Sequence, residues 1–185
     1  MERGHDKLEN TMWRNALLTL TLALLLAAPV FADDDSGEKQ AAETKADSIE
    51  WLTFPEGLER GKAEDKHVLI DFTASWCGWC KKMDKTTFAD SAVIAEINEN
   101  FVPVKVWGDS DDMLEIDGYK ISEKQLAVSE FNVRGYPAFW FISPEGQKIG
   151  PLPGYQPAEQ FMKALDFVST REYEKQDTKS GDGDK

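Results

Sequence analysis

The hydrophobic positions between residues 49 and 170 predict alternating strands and helices. Two continuous apolar runs of strand length, HVLIDF from His67 and FVPVKVW from Phe101, are typical of central strands that are covered on both faces. Shorter strands are predicted at residues 49–52, 138–142 and 147–149. The last two flank the turn sequence Pro-Glu-Gly and therefore predict a hairpin.

Helical periodicity predicts four helices in the remaining segments. They span about 55–65, 77–98, 121–131 and 157–168. The last helix is amphipathic, with Phe161, Leu165 and Val168 along one stripe. Residues 108–121 are acidic and are predicted to form a loop. The order β-α-β-α-β-α-β-β-α predicts an α/β fold in which a mixed central sheet carries helices on both faces.

Upstream of this domain, an apolar run predicts a cleaved export signal. The run covers 16–28, which is 13 residues, whereas a helix needs about 20 to cross a bilayer. Small residues at −3 and −1, Val30 and Ala32, predict cleavage after Ala32. Met12 is the predicted initiator, because starting there removes three acidic residues and leaves the positive start that a signal requires. The alternative is an uncleaved, weakly anchored N-terminus.

The segments on either side of the domain are hydrophilic. Residues 33–48 form an acidic leader and residues 171–185 a charged tail, both predicted to be disordered. Residues 49–170 are left as a single domain. Export would place the processed protein in the periplasm, without stable membrane insertion.

Composition and charge exclude several classes of function. The 185 residues carry 34 acidic and 21 basic side chains, a formal net charge of −13, which argues against nucleic acid and against an anionic membrane surface. Two cysteines are too few for a disulfide scaffold, a four-cysteine zinc site or an iron–sulfur cluster. Two cysteines can form one redox couple.

These cysteines lie where a strand is predicted to end and a helix to begin. At a helix start, unpaired N–H groups and the helix dipole favour negative charge, so the thiolate of Cys77 is expected to be stabilised. Cys80 follows three residues later on the same face, within disulfide reach. The spacing predicts Cys77 as the exposed nucleophile and Cys80 as the buried partner that resolves the mixed disulfide.

Other uses of a C-x-x-C motif fit less well. Haem attachment requires a histidine directly after the second cysteine, where the chain has Lys81. Zinc would need two more ligands, and His67 is the only histidine left after processing. A structural disulfide across two residues would stabilise little. The acidic segment lacks a calcium-loop pattern, since Leu114 occupies the position of the required glycine, so no metal site is predicted.

The motif WCGWCK at 76–81, the preceding Asp71-Phe72 and the later VRGYPA at 133–138 resemble the thioredoxin superfamily. The longer stretch from Trp76 to Met83, with FVPVKV at 101–106, is closer to one branch. That branch holds exported thioredoxin-like proteins similar to the C-terminal domain of the thiol–disulfide interchange protein DsbD. The resemblance covers most of the domain and implies a thioredoxin fold.

The resemblance also implies roles for residues outside the cysteine motif. The Tyr136–Pro137 bond would be cis and face the cysteine pair, leaving the backbone of Tyr136 free to pair with an extended substrate. Asp71 would be a buried acid with a raised pKa that takes the proton of Cys80. Lys105 would pair with Asp71, and a purely structural ion pair is an equally good interpretation of that lysine.

The residues around the cysteines indicate docking and redox direction. Trp76, Gly78 and Trp79 are expected to form an apolar surface for substrate, with ordinary core packing as the alternative. Gly78-Trp79 replaces the Gly-Pro of thioredoxins and contains no histidine that would stabilise the thiolate, which favours a reducing protein.

The sequence therefore predicts a monomeric reductase of disulfide-bearing client proteins. Its redox-active Cys77–Cys80 disulfide would need no bound cofactor, and a membrane thiol transporter would donate electrons. The alternatives are an oxidase or isomerase, a non-catalytic binding module, and a metal-handling chaperone.

Overall fold

A four-stranded mixed sheet organises residues 48–175, the part of the chain that this computed structural model describes. The strands in this range are β1 (His67–Thr73), β2 (Phe101–Trp107), β3 (Met113–Ile116), β4 (Tyr119–Ser122), β5 (Ala138–Ile142) and β6 (Lys148–Pro153). The sheet has the order β2-β1-β5-β6 and β3 pairs with β4 in a separate hairpin. Strand β1 runs parallel to β2 and antiparallel to β5, which confirms the predicted mixed sheet.

Strand β1 lies inside the sheet, between β2 and β5, and all seven of its residues are buried. Alternate side chains enter two cores, as a strand covered on both faces requires. Val68, Ile70 and Phe72 face one apolar cluster, while Leu69 packs in the other with Phe139. The predicted bounds of β1 and β2 agree with the structure within one residue.

Helices cover both faces of the sheet. They are α1 (Phe54–Glu64), α2 (Gly78–Lys85), α3 (Ser91–Asn100), α4 (Glu123–Gln125), which continues as the π-helical segment Leu126–Glu130, and α5 (Ala158–Ser169). Phe161 and Leu165 of α5 are fully buried against the sheet, as their predicted stripe requires.

The prediction of one long helix from Cys77 to about Asn98 is wrong. Thr86 has φ −121° and ψ −77°, outside the helical region, and a short 3₁₀ turn follows at Thr87–Ala89. Asp90 then begins α3 by accepting hydrogen bonds from the N–H groups of Ala92 and Val93 at 2.9 and 3.3 Å. An aspartate in this position satisfies the first N–H groups of a new helix.

The predicted acidic loop contains the β3–β4 hairpin instead. Its turn consists of Asp117 and Gly118, both with positive φ (50° and 81°), as two-residue hairpin turns of type I′ require. Ile121 belongs to β4, so the next helix begins at Glu123 and not at 121. The predicted strand at 49–52 is reduced to a single bridge between Leu52 and Val104.

Strand β6 is longer than predicted and forms an edge of the sheet. It contains Pro151 and Pro153, which pair with Trp140 and Ala138 of β5. A proline has no N–H to donate, and within sheets it is tolerated mainly at such edges.

The ordered chain continues past the predicted domain end at residue 170. Tyr173 packs in the apolar cluster of α5, and its hydroxyl lies 2.9 Å from Nε2 of the buried His67. Arg171 forms an ion pair with Glu145 at 3.5 Å. The prediction of a disordered tail is therefore wrong for residues 171–175. His67 holds this segment through its contact with Tyr173.

The other predictions for the ends of the chain lie outside the described residues. They concern the signal, its cleavage after Ala32, initiation at Met12, the leader and residues 176–185. Within 48–175, no helix is long and apolar enough to span a bilayer.

Candidate redox site

The two cysteines form a disulfide at the start of α2. Their Cα atoms lie 5.3 Å apart. Cys77 is the N-cap of the helix, with extended backbone angles, and its Sγ accepts the N–H of Cys80 at 3.0 Å. In the reduced protein this position would place the same N–H groups and the positive end of the helix dipole beside a Cys77 thiolate.

Both cysteines are buried in this oxidised form, with exposed fractions of 3% for Cys77 and 4% for Cys80. The expected difference between an exposed and a buried sulfur is therefore wrong for this state. The disulfide holds the two side chains together, and Ala74 and Tyr136 pack against the pair.

Asp71 is buried beside Lys105, its register partner in β2. The Nζ of Lys105 lies 3.3 Å from Asp71 Oδ2. Burial raises the pKa of Asp71 to about 6, although the lysine lowers it. The structure thus contains the acid–lysine pair that the resemblance implied.

Lys105 has a second acidic partner that sequence reasoning missed. Asp84 of α2 accepts a hydrogen bond from Lys105 Nζ at 3.1 Å. The same ammonium lies 4.8 Å from the ring centre of Trp51, a favourable position for a cation. Asp84 and Lys105 are 21 positions apart, so no local pattern indicated the contact.

The two tryptophans of the motif are exposed, which excludes the core-packing alternative. Trp76 is 69% exposed and Trp79 57%. Trp76 meets Tyr136 edge to face with ring centres 5.9 Å apart, and Trp79 lies 5.5 Å from Tyr155. Gly78, between them, is exposed as well.

The Tyr136–Pro137 peptide bond is cis. The carbonyl of Pro137 accepts the N–H of Gly154 at 2.8 Å, which joins this loop to the chain that follows β6. The hydroxyl of Tyr136 donates to the carbonyl of Gly108 at 3.1 Å. Tyr136 therefore contacts both the cysteine pair and the segment after β2.

A second residue that the sequence did not single out as part of the site is Asp109. The sequence indicates only that it lies in an acidic segment predicted to form a loop, but its carboxylate accepts hydrogen bonds from Ser75, two residues before Cys77. The signal was absent from the sequence, because the two residues are 34 positions apart.

Comparison with known proteins identifies the family. A family model described as a thioredoxin-like domain matches residues 54–169. The thiol:disulfide interchange protein DsbD of Campylobacter jejuni is 28% identical over 150 residues, covering 80% of this chain but only 24% of DsbD. The disulfide bond reductase DsbH of Chlamydia pneumoniae is 28% identical over 133 residues, covering 66% of this chain and 74% of DsbH.

Solved structures agree on the fold. A thioredoxin from Thermus thermophilus superposes with a TM-score of 0.55 at 28% identity, covering 65% of this chain and 87% of that protein. The residues that the family model matches include the whole four-stranded sheet and helix α2, which carries the disulfide. The chain therefore has a thioredoxin fold and belongs to the thioredoxin-like family of disulfide oxidoreductases, in the branch that includes DsbD and DsbH.

Proposed function

We propose that this protein is an exported, periplasmic thiol–disulfide oxidoreductase that reduces disulfides in client proteins. The observation that carries the proposal is the Cys77–Cys80 disulfide at the start of α2, with Cys77 as the helix cap. A sulfur in this position is a good thiolate, and its partner is already within bonding distance.

The reaction begins from the reduced dithiol. The thiolate of Cys77 attacks one sulfur of a client disulfide, forming a mixed disulfide and releasing the client's other sulfur as a thiolate. The thiolate of Cys80 then attacks Sγ of Cys77, which forms the Cys77–Cys80 bond and releases the second client thiolate. Two electrons pass to the client, and a thiol donor must reduce the enzyme again.

Asp71 supports the second step. Cys80 must lose a proton to attack. The resemblance places this acid beneath the second cysteine, and a carboxyl group with a pKa of about 6 can accept a proton near neutral pH. Lys105, 3.3 Å away, favours the ionised carboxylate that can act as the base. The alternative is a purely structural ion pair. In that case, loss of the Asp71 carboxyl group would not change the rate of thiol–disulfide exchange.

Client binding uses the exposed aromatic surface. Trp76 and Trp79 lie beside the disulfide with more than half of each side chain exposed. Large exposed aromatic groups next to a reactive centre favour docking of an apolar segment. The backbone of Tyr136 before Pro137 would pair with the client chain, as the family resemblance implies.

The direction of electron flow rests on the motif and the relatives. The dipeptide between the cysteines is Gly78-Trp79, without the histidine that stabilises a thiolate and so favours oxidation. DsbH is named a disulfide bond reductase and DsbD an interchange protein. We infer a membrane thiol transporter as electron donor and a monomer that needs no bound cofactor.

Two assays test this proposal. Purified protein is expected to accelerate insulin reduction by dithiothreitol, while a Cys77→Ser variant does not; equal activity of the two would favour the non-catalytic binding module. A Cys80→Ala variant lacks the resolving sulfur and is expected to remain covalently joined to clients, which identifies them.

The redox equilibrium with glutathione decides the direction. A reductase is expected to lie well on the reducing side of the glutathione couple. An equilibrium close to that of strong disulfide oxidases would overturn the reductase assignment and favour the oxidase or isomerase.

A further inference from the structure

The segment that follows β2 is tied to the loop that carries Cys77. The backbone N–H of Ser75 lies 3.2 and 3.0 Å from the two carboxylate oxygens of Asp109, and the Ser75 hydroxyl donates to Oδ2 as well. The hydrogen bonds from Ser75 lower the pKa of Asp109. The carboxylate is thus held in its charged form near the nucleophile.

The preceding residue forms two further ties. The N–H of Gly108 donates to the carbonyl of Thr73 at 2.8 Å, and its own carbonyl accepts the hydroxyl of Tyr136 at 3.1 Å. The approach is so close that a Cβ at position 108 would lie 1.9 Å from the Tyr136 hydroxyl. Any larger residue at position 108 would therefore have to displace the ring of Tyr136.

Together these contacts hold the loop that precedes Cys77. We call the contacts of Gly108 and Asp109 with Thr73, Ser75 and Tyr136 the loop clamp. The ring of Tyr136 also contacts that of Trp76, the residue directly before Cys77. Every residue from Thr73 to Cys77 thus lies within or next to a fixed contact.

We propose that Asp109 is a positioning residue for thiol–disulfide exchange, which fixes the loop from Thr73 to Cys77 and holds a negative charge beside the nucleophilic sulfur. The inference rests on the proposed function. The charge opposes formation of the Cys77 thiolate, and a less stabilised thiolate makes the dithiol a stronger reductant. Asp109 thus offsets part of the stabilisation that the start of α2 gives to the Cys77 thiolate.

The size of the electrostatic effect follows from the geometry. The carboxylate contacts Ser75 at 3.0 Å, and Ser75 and Cys77 are separated by two Cα steps of about 3.8 Å each. These steps put the carboxylate on the order of 10 Å from the sulfur. At that distance in a water-like medium, a unit charge changes the proton-binding equilibrium about twofold, and more where the dielectric is lower.

The first test is the pH profile of Cys77 alkylation. Reduced protein is treated with iodoacetamide from pH 5 to 10, and modification of Cys77 is followed by peptide mass spectrometry. Asp109→Asn is expected to react at least about twofold faster at pH 6 with an unchanged plateau at high pH. Asp109→Glu keeps the charge and is expected to follow the parent profile. Asp111→Asn is the matched control, since Asp111 is exposed in the same segment.

The second test addresses the loop. Asp109→Ala removes the acceptor of the Ser75 N–H, so hydrogen exchange is expected to rise about tenfold or more in peptides covering 73–77 while peptides from β5 are unchanged. An alkylation profile of Asp109→Asn that superimposes on the parent, or an equal shift in Asp111→Asn, overturns the electrostatic part. Unchanged exchange overturns the positioning part. Neither assay depends on insulin reduction, so the proposed function fails or holds separately.

Discussion

Replacing Asp71 by asparagine tests whether a buried carboxyl group makes this protein less stable as the pH rises. The side chain of Asp71 is 4% exposed, and its pKa is raised from 3.8 to about 6, mainly by burial. Between these values the folded protein binds a proton that the unfolded chain has released. Asp71 therefore contributes most to the free energy of unfolding at low pH, where its carboxyl group is neutral. This contribution is lost as the pH rises through the pKa of the folded protein.

The expected magnitude follows from the two pKa values. Their difference, at about 1.4 kcal/mol for each pKa unit, corresponds to about 3 kcal/mol. Asparagine has the same shape and cannot ionise. We therefore expect the Asp71→Asn variant to gain about 3 kcal/mol relative to the parent between pH 4 and pH 8, while its rate of insulin reduction falls because Cys80 loses its proton acceptor.

Urea unfolding of the oxidised proteins at pH 4, 5, 6, 7 and 8 measures this difference. A relative gain of about 3 kcal/mol corresponds to a midpoint shift of about 1–3 M urea. The matched control is Asp84→Asn, which removes the half-exposed partner of the same lysine. A surface ion pair contributes at most about 1 kcal/mol. If the difference between Asp71→Asn and the parent is the same at every pH, the reasoning is refuted.

Three further predictions concern packing and docking. Gly108→Ala is expected to lower the free energy of unfolding by about 1–3 kcal/mol through overpacking, whereas Gly150→Ala, with open space around it, is expected to have little effect; thermal unfolding compares them. Tyr173→Phe removes the hydrogen bond to the imidazole at the start of β1, and a loss of about 1 kcal/mol is expected in urea unfolding. Trp79→Ala is expected to raise KM for insulin about threefold or more through loss of aromatic contact, with kcat unchanged. The control is Tyr119→Ala, which removes a similarly exposed aromatic side chain on the β3–β4 hairpin and is expected to leave KM and kcat unchanged.

The central strands and the cysteine motif could be predicted because their signals are local. The apolar runs that form β1 and β2 are continuous, and the spacing of Cys77 and Cys80 depends only on the geometry of one helical turn. Two errors arose from local signals that were overlooked. Asp90 has the residue type of a helix cap, and Asp117-Gly118 is a common hairpin turn.

The remaining features depend on contacts between distant parts of the chain. Asp84 reaches Lys105, and Asp109 reaches Ser75, only after the sheet has brought the segments together. The low exposure of Cys77 has the same origin, since Tyr136 covers it from another loop. Such contacts leave no periodic pattern in a single sequence.

The prolines of β6 limit how this molecule can meet other chains. Pro151 and Pro153 occupy the strand at the border of the sheet and offer no amide hydrogens there. A polypeptide that meets this border finds fewer N–H groups for continuing the ladder, so β6 is a poor template for intermolecular β-structure. A reductant that repeatedly handles partly unfolded chains would gain from a border that such chains do not adhere to.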